Sequence, residues 1–326
     1  MPEGPEVTTL TAAMRHHFPP NKYVLTSLDI ISGRYADEIG KSPEGWDQLV
    51  QNLPLSLHSV HEKGKFIYFQ LDCNISLWST LGMSGSWTMR PNPRHLRLRL
   101  NLEHKNERNE KNIQLCYADS RNFGTFKVCF DPIELETRLQ KLGKCWLHDE
   151  VTPEVFRALL KKKGKPQRRR SLAVLLMDQT KTSGIGNYIL SECLFAARIH
   201  PWAQVGSLND TDIDRLYDAI TSIIWTSARS QKEVSMRRFE GKPLSRTRHT
   251  QAQQPSPKLL QSEDAFSTPE QRKNSGGGCG GHFELLVYGK QRSPEGFNVI
   301  RTLIGPHKRT IWWVKEIQTE GGVVSI

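Results

Sequence analysis

The chain has 326 residues, and its 45 lysines and arginines exceed its 34 aspartates and glutamates to give a formal net charge of +11. No run approaches the roughly 18 consecutive apolar residues of a membrane span, which excludes an integral membrane protein, and the start lacks the basic and apolar regions of a secretory signal. This basic balance favours a polyanionic partner, above all nucleic acid. A basic surface that serves solubility alone is the alternative.

Six cysteines occur in the sequence, and none of them forms a C-x-x-C pair: Cys73, Cys116, Cys129, Cys145, Cys193 and Cys279. In a chain without a secretory signal, buried reduced thiols are expected rather than a disulfide framework. Cys279 is the only cysteine after Cys193, so four cysteines cannot hold a zinc ion in the C-terminal part. Cys279, His282 and His307 form only a partial and widely spaced set. We therefore predict no metal site and no cofactor.

The N-terminal part of the chain predicts one helix followed by many strands. Val7, Leu10 and Met14 recur at helical spacing, so a helix begins within the first few residues. From about residue 23 to 130, short β-rich runs such as KGKFIYFQL, LRLRLNL and GTFKVCF alternate with turns, which predicts an antiparallel sandwich or barrel. Residues 131–165 then predict one or two helices.

Three more helices are predicted between residues 170 and 230. LAVLLMDQ and YILSECLFAARI are apolar helices separated by the tight turn SGIGN, and a third, amphipathic helix follows. The apolar face of that third helix consists of Ile213, Leu216, Ile220, Ile223 and Ile224. Residues 161–170, KKKGKPQRRR, form a basic run that is typical of a linker, a nuclear localisation signal or a phosphate-contacting segment.

The C-terminal part combines a polar insertion with short strands. Residues 236–281 are rich in Ser, Gln, Pro, Gly and Arg and are predicted to be a mostly disordered insertion. Strands return in FELLVYG, NVIRTLIG and RTIWWVKEI, and the last two flank GPHK, which predicts a hairpin turn. The predicted division places a strand-rich domain at 1–147, a helical domain at 148–235, the insertion at 236–281, and a hairpin with a tail at 282–326.

The start MPEGPE carries the sharpest chemical signal. Removal of Met1 would leave Pro2 as the N-terminus, and a free α-amine has a pKa of about 7.7–8.0, so part of it is neutral and nucleophilic at pH 7. Such an amine can attack a sugar C1′ and form an iminium, which is covalent amine catalysis. Glu3 lies next to it and can shuttle protons. An ordinary turn-rich start is the alternative.

Six sequence blocks, in order along the chain, resemble the Fpg/Nei family of bifunctional DNA glycosylases. The blocks are MPEGPEV at the start, KGKFIYFQL (63–71), LGMSGSW (81–87), DSRNFGTF (119–126), MDQTKTSGIGNYILSECLF (177–195) and HKRTIWW (307–313). They extend over nearly the whole chain apart from the insertion and the tail. The chain is most similar to the zincless, endonuclease VIII-like branch, because the finger cysteines of zinc-containing members are absent.

This resemblance implies an α+β fold and a DNA repair activity. The implied fold is an N-terminal β-sandwich with an N-terminal helix, then a helical domain with a helix–two-turn–helix motif and a zincless β-hairpin finger. The implied reaction removes an oxidised base through a Pro2 Schiff base and cleaves the strand by β,δ-elimination. The zincless finger favours oxidised pyrimidines, formamidopyrimidines and hydantoins over 8-oxoguanine. The expected partner is damaged double-stranded DNA, bound by a monomer and without a membrane.

The family's catalytic positions extend beyond Pro2 and Glu3. Lys65 corresponds to the family's essential lysine, which implies a contact with the lesion's phosphate or sugar; we expect it in a strand between apolar neighbours, with a solvated strand-end charge as the alternative. Glu6 is implied near the opened sugar, and a plain first-turn glutamate that complements the helix dipole is the alternative. Arg309 matches the hairpin arginine that reaches the lesion-side phosphate and aids the final elimination, where the alternative is a surface charge.

Met83, Arg121 and Phe123 form the implied set that fills the DNA stack. An enzyme that acts on a base in a duplex flips the base out, and a protein group then occupies the space. The family uses a methionine, an arginine and a phenylalanine, and this chain keeps all three. Without the resemblance, Met83 and Phe123 would be assigned to the core. Asn122 stands where the family commonly has a second arginine.

Asn187 and His95 are further implied DNA contacts. Asn187 follows the turn SGIGN, whose exposed backbone amides suit phosphate, and it can bind DNA phosphate or cap the next helix. His95, in PRHLRLRL, resembles a DNA-contacting histidine position on looser spacing. Glu192 follows the family pattern and is expected to be structural.

Two other functional classes remain in view. The first is a non-catalytic DNA-binding protein that retains the fold, which a blocked or unprocessed N-terminus would support. The second is a basic RNA-binding or ribosomal protein, because helix–two-turn–helix segments also occur there, although such a protein needs neither the MPEGPE start nor Lys65. For localisation we predict an intracellular protein and, from residues 161–170, the nucleus.

Overall fold

The computed structural model describes residues 2–36, 42–106, 112–161, 169–242 and 283–319. These residues separate into two compact units, a first unit of residues 2–142 with 231–242 and a second unit of residues 143–230 with 283–319. The first unit ends at Leu142, before the predicted boundary at residue 147. It also includes residues that the sequence prediction placed in the helical domain and the insertion.

The described elements follow the predicted order of a helix, a strand-rich stretch and a helical region. The α-helices are α1 (Gly4–His17), α2 (Trp46–Gln51), α3 (Pro132–Lys141), α4 (Pro153–Leu160), α5 (Leu172–Met177), α6 (Asn187–Ala196) and α7 (Asp210–Phe239). The β-strands are β1 (Tyr23–Ile30), β2 (Leu55–Lys63), β3 (Phe66–Leu71), β4 (Ser76–Thr80), β5 (Ser86–Thr88), β6 (Leu96–His104), β7 (Ile113–Ala118), β8 (Thr125–Cys129), β9 (Lys144–Cys145), β10 (Thr182–Ser183), β11 (Ile300–Thr302) and β12 (Ile311–Trp313).

Strands β1 to β8 form one sheet in the order β5-β7-β6-β1-β2-β3-β4-β8, and every neighbouring pair is antiparallel. Burial alternates along β6, where Leu96, Leu98, Leu100 and Leu102 are buried and the residues between them are only partly so. A period of two is what a strand requires when one of its faces covers a core. The predicted antiparallel β-sandwich with an N-terminal helix is confirmed.

Helix α1 packs its apolar stripe into the core of the first unit. Val7, Leu10 and Met14 are at most 6% exposed and belong to the same apolar cluster as the inward-facing residues of the sheet. Burial of one such side chain stabilises the fold by about 1.5–3 kcal/mol. The stripe therefore fixes α1 on the sheet and, with it, the position of Pro2 and Glu3 at its start.

The second unit has an apolar core of its own, built from α4, α5, α6 and the first part of α7. The predicted apolar face of α7 is confirmed at four positions, each at most 2% exposed: Ile213, Leu216, Ile220 and Ile224. Ile223, predicted on the same face, is only partly buried and packs at the margin of this core.

The C-terminal strands agree only in part with the prediction. The hairpin predicted around GPHK is confirmed, because β11 and β12 pair antiparallel with Ile300 opposite Trp313. The strand predicted for FELLVYG is wrong. The backbone amides of residues 286–288 donate to the carboxylate of Glu192. A single side chain thus takes the hydrogen bonds that a neighbouring strand would need, and the segment turns instead.

Helix α7 is longer than predicted and runs to Phe239, into the first residues of the expected insertion. The rest of the predicted disordered insertion, residues 243–281, lies outside the described residues. Residues 162–168, which make up most of the basic run, also lie outside them. No helix within the described ranges is long and apolar enough to cross a membrane.

Candidate active site

Helix α1 begins with a capping box that holds both glutamates of the start motif. Glu3 is the N-cap: its carboxylate accepts the backbone N–H of Glu6, and Glu6 Oε2 accepts the backbone N–H of Glu3 at 2.9 Å. Such reciprocal bonds satisfy two amides that a helix start otherwise leaves unpaired. Glu3 is 1% exposed, so its carboxylate is fixed immediately after Pro2 in the chain.

A cavity of about 220 Å³ lies beside Pro2 in the first unit. Its polar walls come from the N-terminus, from the segment between β4 and β5, and from the end of α7. They include Pro2, Glu6, Ser84, Gln231, Ser235 and Arg238. A carboxylate, an amide, two hydroxyls and a guanidinium provide both donors and acceptors, which are the groups that can hydrogen-bond the edge of a nucleobase.

Gln231 of α7 holds one oxygen of Glu6. Its side-chain amide donates to Glu6 Oε1 at 2.6 Å, while Glu6 Oε2 accepts from Glu3. The hydroxyls of Thr9 and Ser235 are 2.8 Å apart and form a second link between α1 and α7. Glu6 thus does more than complement the helix dipole, because both oxygens are bound and it lines the cavity. No sequence signal marked Gln231 or Ser235, since they lie more than two hundred residues from their partners.

Lys65 lies half-buried in the turn between β2 and β3, not inside a strand as predicted. Gly64 adopts φ 61°, a left-handed conformation that glycine takes without a Cβ penalty, and the chain therefore turns just before Lys65. Lys65 does not line the cavity beside Pro2. Its contact with the lesion's phosphate or sugar remains a prediction.

Met83, Arg121 and Phe123 lie together on two loops of the first unit. Arg121 Nη1 is 3.2 Å from the Met83 sulfur, and the Arg121 guanidinium carbon is 5.9 Å from the centre of the Phe123 ring. Met83 is 40% exposed and Phe123 52% exposed, so neither is a core residue. Exposed apolar side chains around a cation are suited to enter a base stack. We call these three the wedge residues, and residues 81–85 and 119–124 the wedge loops.

Asp119 joins the two wedge loops from the inside, where it is 1% exposed. Its carboxylate accepts the Ser84 hydroxyl from one loop and three backbone amides from the other. Those amides belong to Arg121, at 3.1 Å, and to Phe123 and Gly124, both at 2.9 Å. Burial acts to raise the pKa of Asp119, but these hydrogen bonds outweigh it and hold the pKa below its ordinary value.

Two glycines allow the wedge loops to approach Tyr117. A Cβ added to Gly85 or Gly124 would lie 1.9 Å from the Tyr117 hydroxyl oxygen. That hydroxyl donates to the Leu81 carbonyl at 3.2 Å and lies 3.4 Å from the Asp119 carboxylate. The second glycine of LGMSG and the glycine of DSRNFG are therefore required by close packing.

His95 occupies the turn before β6, with an exposed side chain and φ 61°. Its backbone carbonyl accepts the amide of Asp119 at 3.0 Å, and Arg97 Nε donates to the Asp119 carbonyl at 2.9 Å. The backbone around Asp119 is thus held on both sides. Contact between the His95 side chain and DNA remains a prediction.

In the second unit, Asn187 connects α6 to the C-terminal hairpin. Asn187 Nδ2 donates to the Thr310 carbonyl at 2.8 Å, and Asn187 Oδ1 lies 2.7 Å from His307 Nε2. Because Oδ1 can only accept, His307 carries its proton on Nε2. The capping hypothesis for Asn187 is wrong: Gly186 is the N-cap of α6, and no side chain caps this helix. Its contact with DNA phosphate remains a prediction.

The turn of the hairpin presents a neutral histidine and an exposed arginine. Burial and the neighbouring Arg309 lower the pKa of His307 to about 4, so its ring is neutral at pH 7. Arg309 and Lys308 are exposed on the same turn. Positive charge on this turn therefore comes from Arg309 and Lys308, as a phosphate contact requires.

The segment around α6 is more closed than predicted. Residues 182–187 are buried, and the Gly184 amide donates to Gln179 Oε1 at 3.0 Å, so the turn uses part of its own amides. Glu192 has the structural role expected of it, because it is 1% exposed and accepts the amides of residues 286–288 at 2.7–3.0 Å. Burial has the largest effect on its carboxyl and raises the pKa of Glu192 despite those amides.

Cysteine and histidine side chains form no metal centre within the described residues. No group of three His, Cys, Asp or Glu side chains there is placed to hold a metal ion. Cys116, Cys129, Cys145 and Cys193 are buried free thiols, as the sequence predicts, whereas Cys73 is exposed.

Known proteins match the chain in both of its halves. The sequence-family model of the formamidopyrimidine-DNA glycosylase N-terminal domain matches residues 1–126. The sequence-family model of the formamidopyrimidine-DNA glycosylase H2TH domain matches residues 142–238. The formamidopyrimidine-DNA glycosylase of Listeria innocua is 30% identical over 230 residues, which are 69% of this chain and 77% of that protein. The chain belongs to the formamidopyrimidine-DNA glycosylase family. The family member from Thermus thermophilus is 32% identical over 167 residues, 51% of this chain and 57% of that protein.

Solved structures of the family share the fold. The crystal structure of wild-type Lactococcus lactis Fpg in complex with oxidised-pyrimidine-containing DNA has a TM-score of 0.66 and 20% identity, and the match covers 98% of this chain and 100% of that one. The structure of the same protein bound non-covalently to DNA containing an AP site has a TM-score of 0.65 and 21% identity over the same shares. At these identities the likeness concerns the fold alone.

Proposed function

We propose that this family member is a bifunctional enzyme of base excision repair that removes oxidised bases from double-stranded DNA and then cleaves the strand. The observation that carries the proposal is the position of Pro2 in the wall of a polar cavity, directly before the buried carboxylate of Glu3. A nucleophile in a cavity next to a fixed carboxylate is the arrangement that covalent amine catalysis requires. The named relatives and the fold shared with Fpg–DNA complexes support it.

The reaction follows from a free amine at Pro2. After removal of Met1, the Pro2 nitrogen attacks C1′ of the damaged nucleotide, the C1′–N bond breaks, and the base leaves with a proton. Pro2 loses its N–H proton, the C1′–O4′ bond breaks as O4′ takes up a proton, and an iminium then joins Pro2 to the opened sugar. Glu3 receives and returns these protons. β-Elimination then removes a C2′ proton and breaks the C3′–O bond to the 3′ phosphate. δ-Elimination removes a C4′ proton and breaks the C5′–O bond to the 5′ phosphate, with Lys65 and Arg309 proposed to bind the phosphates.

In this proposal, positive charge attracts the protein to DNA, and the wedge residues act at the damaged base. The wedge residues fill the space of the everted base, whose removal from the stack costs a few kcal/mol. Glu6 faces the opened sugar, and Asn187 and His95 are proposed to contact the DNA backbone. The net charge of +11 accounts for a salt-sensitive attraction to any duplex. Charge alone therefore predicts affinity, whereas the wedge and the cavity predict the reaction.

We further propose the zincless, endonuclease VIII-like branch, with oxidised pyrimidines, formamidopyrimidines and hydantoins preferred over 8-oxoguanine. No cysteine occurs between residues 283 and 319. The hairpin is held instead by its own side chains: Trp313 Nε1 donates to Thr302 Oγ1 at 3.0 Å, and the Arg301 guanidinium lies 5.5 Å from the Trp312 ring. Excision rates on a matched panel of duplexes, each with one lesion, test this preference. Faster removal of 8-oxoguanine than of any oxidised pyrimidine would contradict it.

We propose a monomer that acts in the nucleus, with residues 161–170 as the localisation signal. Replacement of Lys162, Lys163, Lys165 and Arg168 by alanine should abolish nuclear accumulation of a fluorescent fusion, and it leaves the ion pairs of Lys161 with Asp210 and of Arg170 with Asp178 in place. Unchanged localisation would contradict the signal. Sedimentation of the protein with one duplex checks the stoichiometry.

Borohydride trapping on a duplex with an oxidised pyrimidine tests the proposed chemistry. Reduction of the iminium fixes it as a covalent adduct, so the wild-type chain should be trapped, and Pro2→Gly or a blocked N-terminus should lose most of the adduct. Glu3→Gln should lose base excision but keep part of the cleavage at an abasic site. No adduct on any lesion or abasic duplex would reject the enzymatic proposal in favour of a non-catalytic DNA-binding protein. Normal excision by Glu3→Gln would reject the role of Glu3.

A further inference from the structure

The wedge residues have little packing of their own to keep them in place. Met83 and Phe123 are 40% and 52% exposed, and Arg121 is exposed as well. Side chains with this much solvent contact lose little hydrophobic stabilisation when their loop moves. Their arrangement therefore has to come from the backbone of the loops that carry them.

Asp119 supplies that backbone restraint for both loops at once. One carboxylate oxygen, Oδ1, accepts the Ser84 hydroxyl and the Arg121 amide, and the Ser84 hydroxyl oxygen also lies 3.0 Å from the Arg121 amide nitrogen. The other oxygen, Oδ2, accepts the amides of Phe123 and Gly124, both at 2.9 Å. Each of the two oxygens thus binds the loop of Arg121 and Phe123, and Ser84 ties in the loop of Met83.

Ser84 also connects this restraint to the cavity beside Pro2. It lines that cavity together with Leu81 and Gly85 of the same wedge loop. A change in the bond between Ser84 and Asp119 would therefore move a wall of the cavity and a wedge residue together. Hydrogen bonds to an ionised carboxylate are about twice as strong as neutral ones, which suits a joint that has to resist the strain of opening a duplex.

We infer that Asp119 is a positioning residue that preorganises both wedge loops for occupation of the space left by an everted base, an inference that rests on the proposed function. It does not touch the reacting atoms. It acts through the backbone of the wedge residues. Insertion of the wedge depends on it at any site, but we expect this insertion to limit the rate only where a paired base has to be everted, because an abasic nucleotide offers no base to evert.

Asp119→Asn separates this role from general stability. Asparagine keeps one acceptor oxygen but replaces the other with an NH2 group, so that either the Arg121 amide or the amides of Phe123 and Gly124 lose their acceptor, depending on which way the side-chain amide is oriented. Excision of an oxidised pyrimidine from duplex DNA should fall about 10-fold or more, because less ordered wedge residues offset less of the free energy needed to evert the base. Cleavage of a duplex with a preformed abasic site should change by less than about three-fold, since no base is everted.

A fluorescent base gives a readout independent of chemistry. 2-Aminopurine opposite a tetrahydrofuran abasic analogue changes its emission when a protein group displaces it or stacks on it. Asp119→Asn should show a smaller change than the wild-type chain at saturating protein, close to that of Met83→Ala, which lacks one wedge residue. Ser84→Ala, which removes one donor and leaves the bonds to Phe123 and Gly124, should fall between Asp119→Asn and wild type.

Asp131→Asn is the matched control. Asp131 also accepts the backbone amide two residues ahead, that of Ile133 at 2.9 Å, but it does so at the exposed start of α3. This variant should keep wild-type excision and emission. Thermal unfolding of each variant identifies any that has lost its fold, and Ser84→Ala then carries the test.

Two results would overturn the role of Asp119. In the first, Asp119→Asn keeps the wild-type emission change and the wild-type ratio of excision to abasic cleavage. In the second, both activities fall by the same factor, as a merely structural residue would cause. A wild-type chain without activity on any substrate rejects the proposed function instead, and the emission measurement still decides whether Asp119 positions the wedge.

Discussion

Two buried carboxylates anchor loop segments in the two units, and their pKa values shift in opposite directions. Asp119 and Glu192 are each 1% exposed, and each accepts three backbone amides. The pKa of Asp119 is below its ordinary value, because hydrogen bonds outweigh burial, whereas burial raises the pKa of Glu192. Asp119 has the Ser84 hydroxyl as a further donor and lies under surface loops; Glu192 lies on α6, among core residues.

The difference shows that the number of amides bound to a carboxylate does not determine its charge. Burial in the apolar core raises the pKa of a carboxyl, and hydrogen bonds from amides lower it. Burial has the larger effect at Glu192, and the hydrogen bonds have the larger effect at Asp119. The wedge loops, which have to stay ordered while exposed, are therefore held by the carboxylate that ionises more readily. The segment at residues 286–288 needs no exposure, and a carboxylate with a raised pKa suffices there.

The largest effect is expected when Glu192 loses its carboxylate. Glu192→Ala leaves three backbone amides without an acceptor inside the second unit, and each buried unpaired amide costs about 1–3 kcal/mol, so the free energy of unfolding should fall by about 3 kcal/mol or more. Urea unfolding followed by tryptophan fluorescence measures it. The control is Glu284→Ala, because Glu284 has a 69% exposed side chain near the same segment. A loss below about 1 kcal/mol would show that water replaces the carboxylate.

Opposite pH dependences are expected for the two anchors. Asp119 stabilises the fold above its ordinary pKa of 3.8, and the contribution is lost as the pH falls through its lowered pKa in the folded chain. The stability gap between wild type and Asp119→Asn, about 1–2 kcal/mol at pH 7, should therefore shrink below about pH 4. For Glu192, whose pKa is raised from 4.5, wild type should lose stability relative to Glu192→Gln as the pH rises through the window above 4.5.

Unfolding curves of these variants between about pH 2.5 and 7.5, compared at equal ionic strength, separate the two signs. If the stability difference from wild type changed with pH in the same direction for Asp119→Asn and Glu192→Gln, the opposite pKa shifts assigned to Asp119 and Glu192 would be wrong.

A neutral anchor, His307, should show a third kind of dependence. Its pKa is lowered from 6.5 to about 4 in the folded chain, so the unfolded chain binds more protons between these values and wild type loses stability as the pH falls through them. His307→Gln keeps an N–H donor for Asn187 and should remove this dependence, which amounts to about 2 kcal/mol between pH 7.5 and pH 5. Stability at pH 7.5 and pH 5 measures it. An equal loss in both proteins would assign the dependence to another group.

The smallest effect is expected at Glu6, a carboxylate that is only partly buried. Gln231→Leu removes the amide that donates to Glu6 Oε1 at 2.6 Å but leaves the bond from the Glu3 amide. Base excision should slow by about 3- to 10-fold, which corresponds to the loss of one ordinary hydrogen bond of about 0.5–1.5 kcal/mol. Glu233→Gln, two positions along α7 with an 84% exposed side chain, is the control and should be unchanged. Equal excision rates for Gln231→Leu and Glu233→Gln would show that the hydrogen bond from Gln231 to Glu6 does not contribute to base excision.

Short-range patterns predicted the elements that carry most of the site. Three of these elements were confirmed: the apolar stripe of α1, the strands of the first unit, and the hairpin of β11 and β12. Each depends on neighbours within a few positions. The strand predicted for FELLVYG failed, because its amides bind Glu192, which lies 94 to 96 positions away. A composition shift placed the start of the insertion at residue 236, but α7 continues to Phe239, which is buried in the core of the first unit.

The sequence by itself determined which chemical groups are present: a proline at position 2, the glutamates at positions 3 and 6, and a methionine, arginine and phenylalanine in short motifs. These follow from residue order alone. Only the tertiary structure decided that Met83 and Phe123 are exposed, that Asp119 holds both wedge loops, and that Gln231 binds Glu6. Burial and contacts between distant segments create these properties, and both depend on how the whole chain packs.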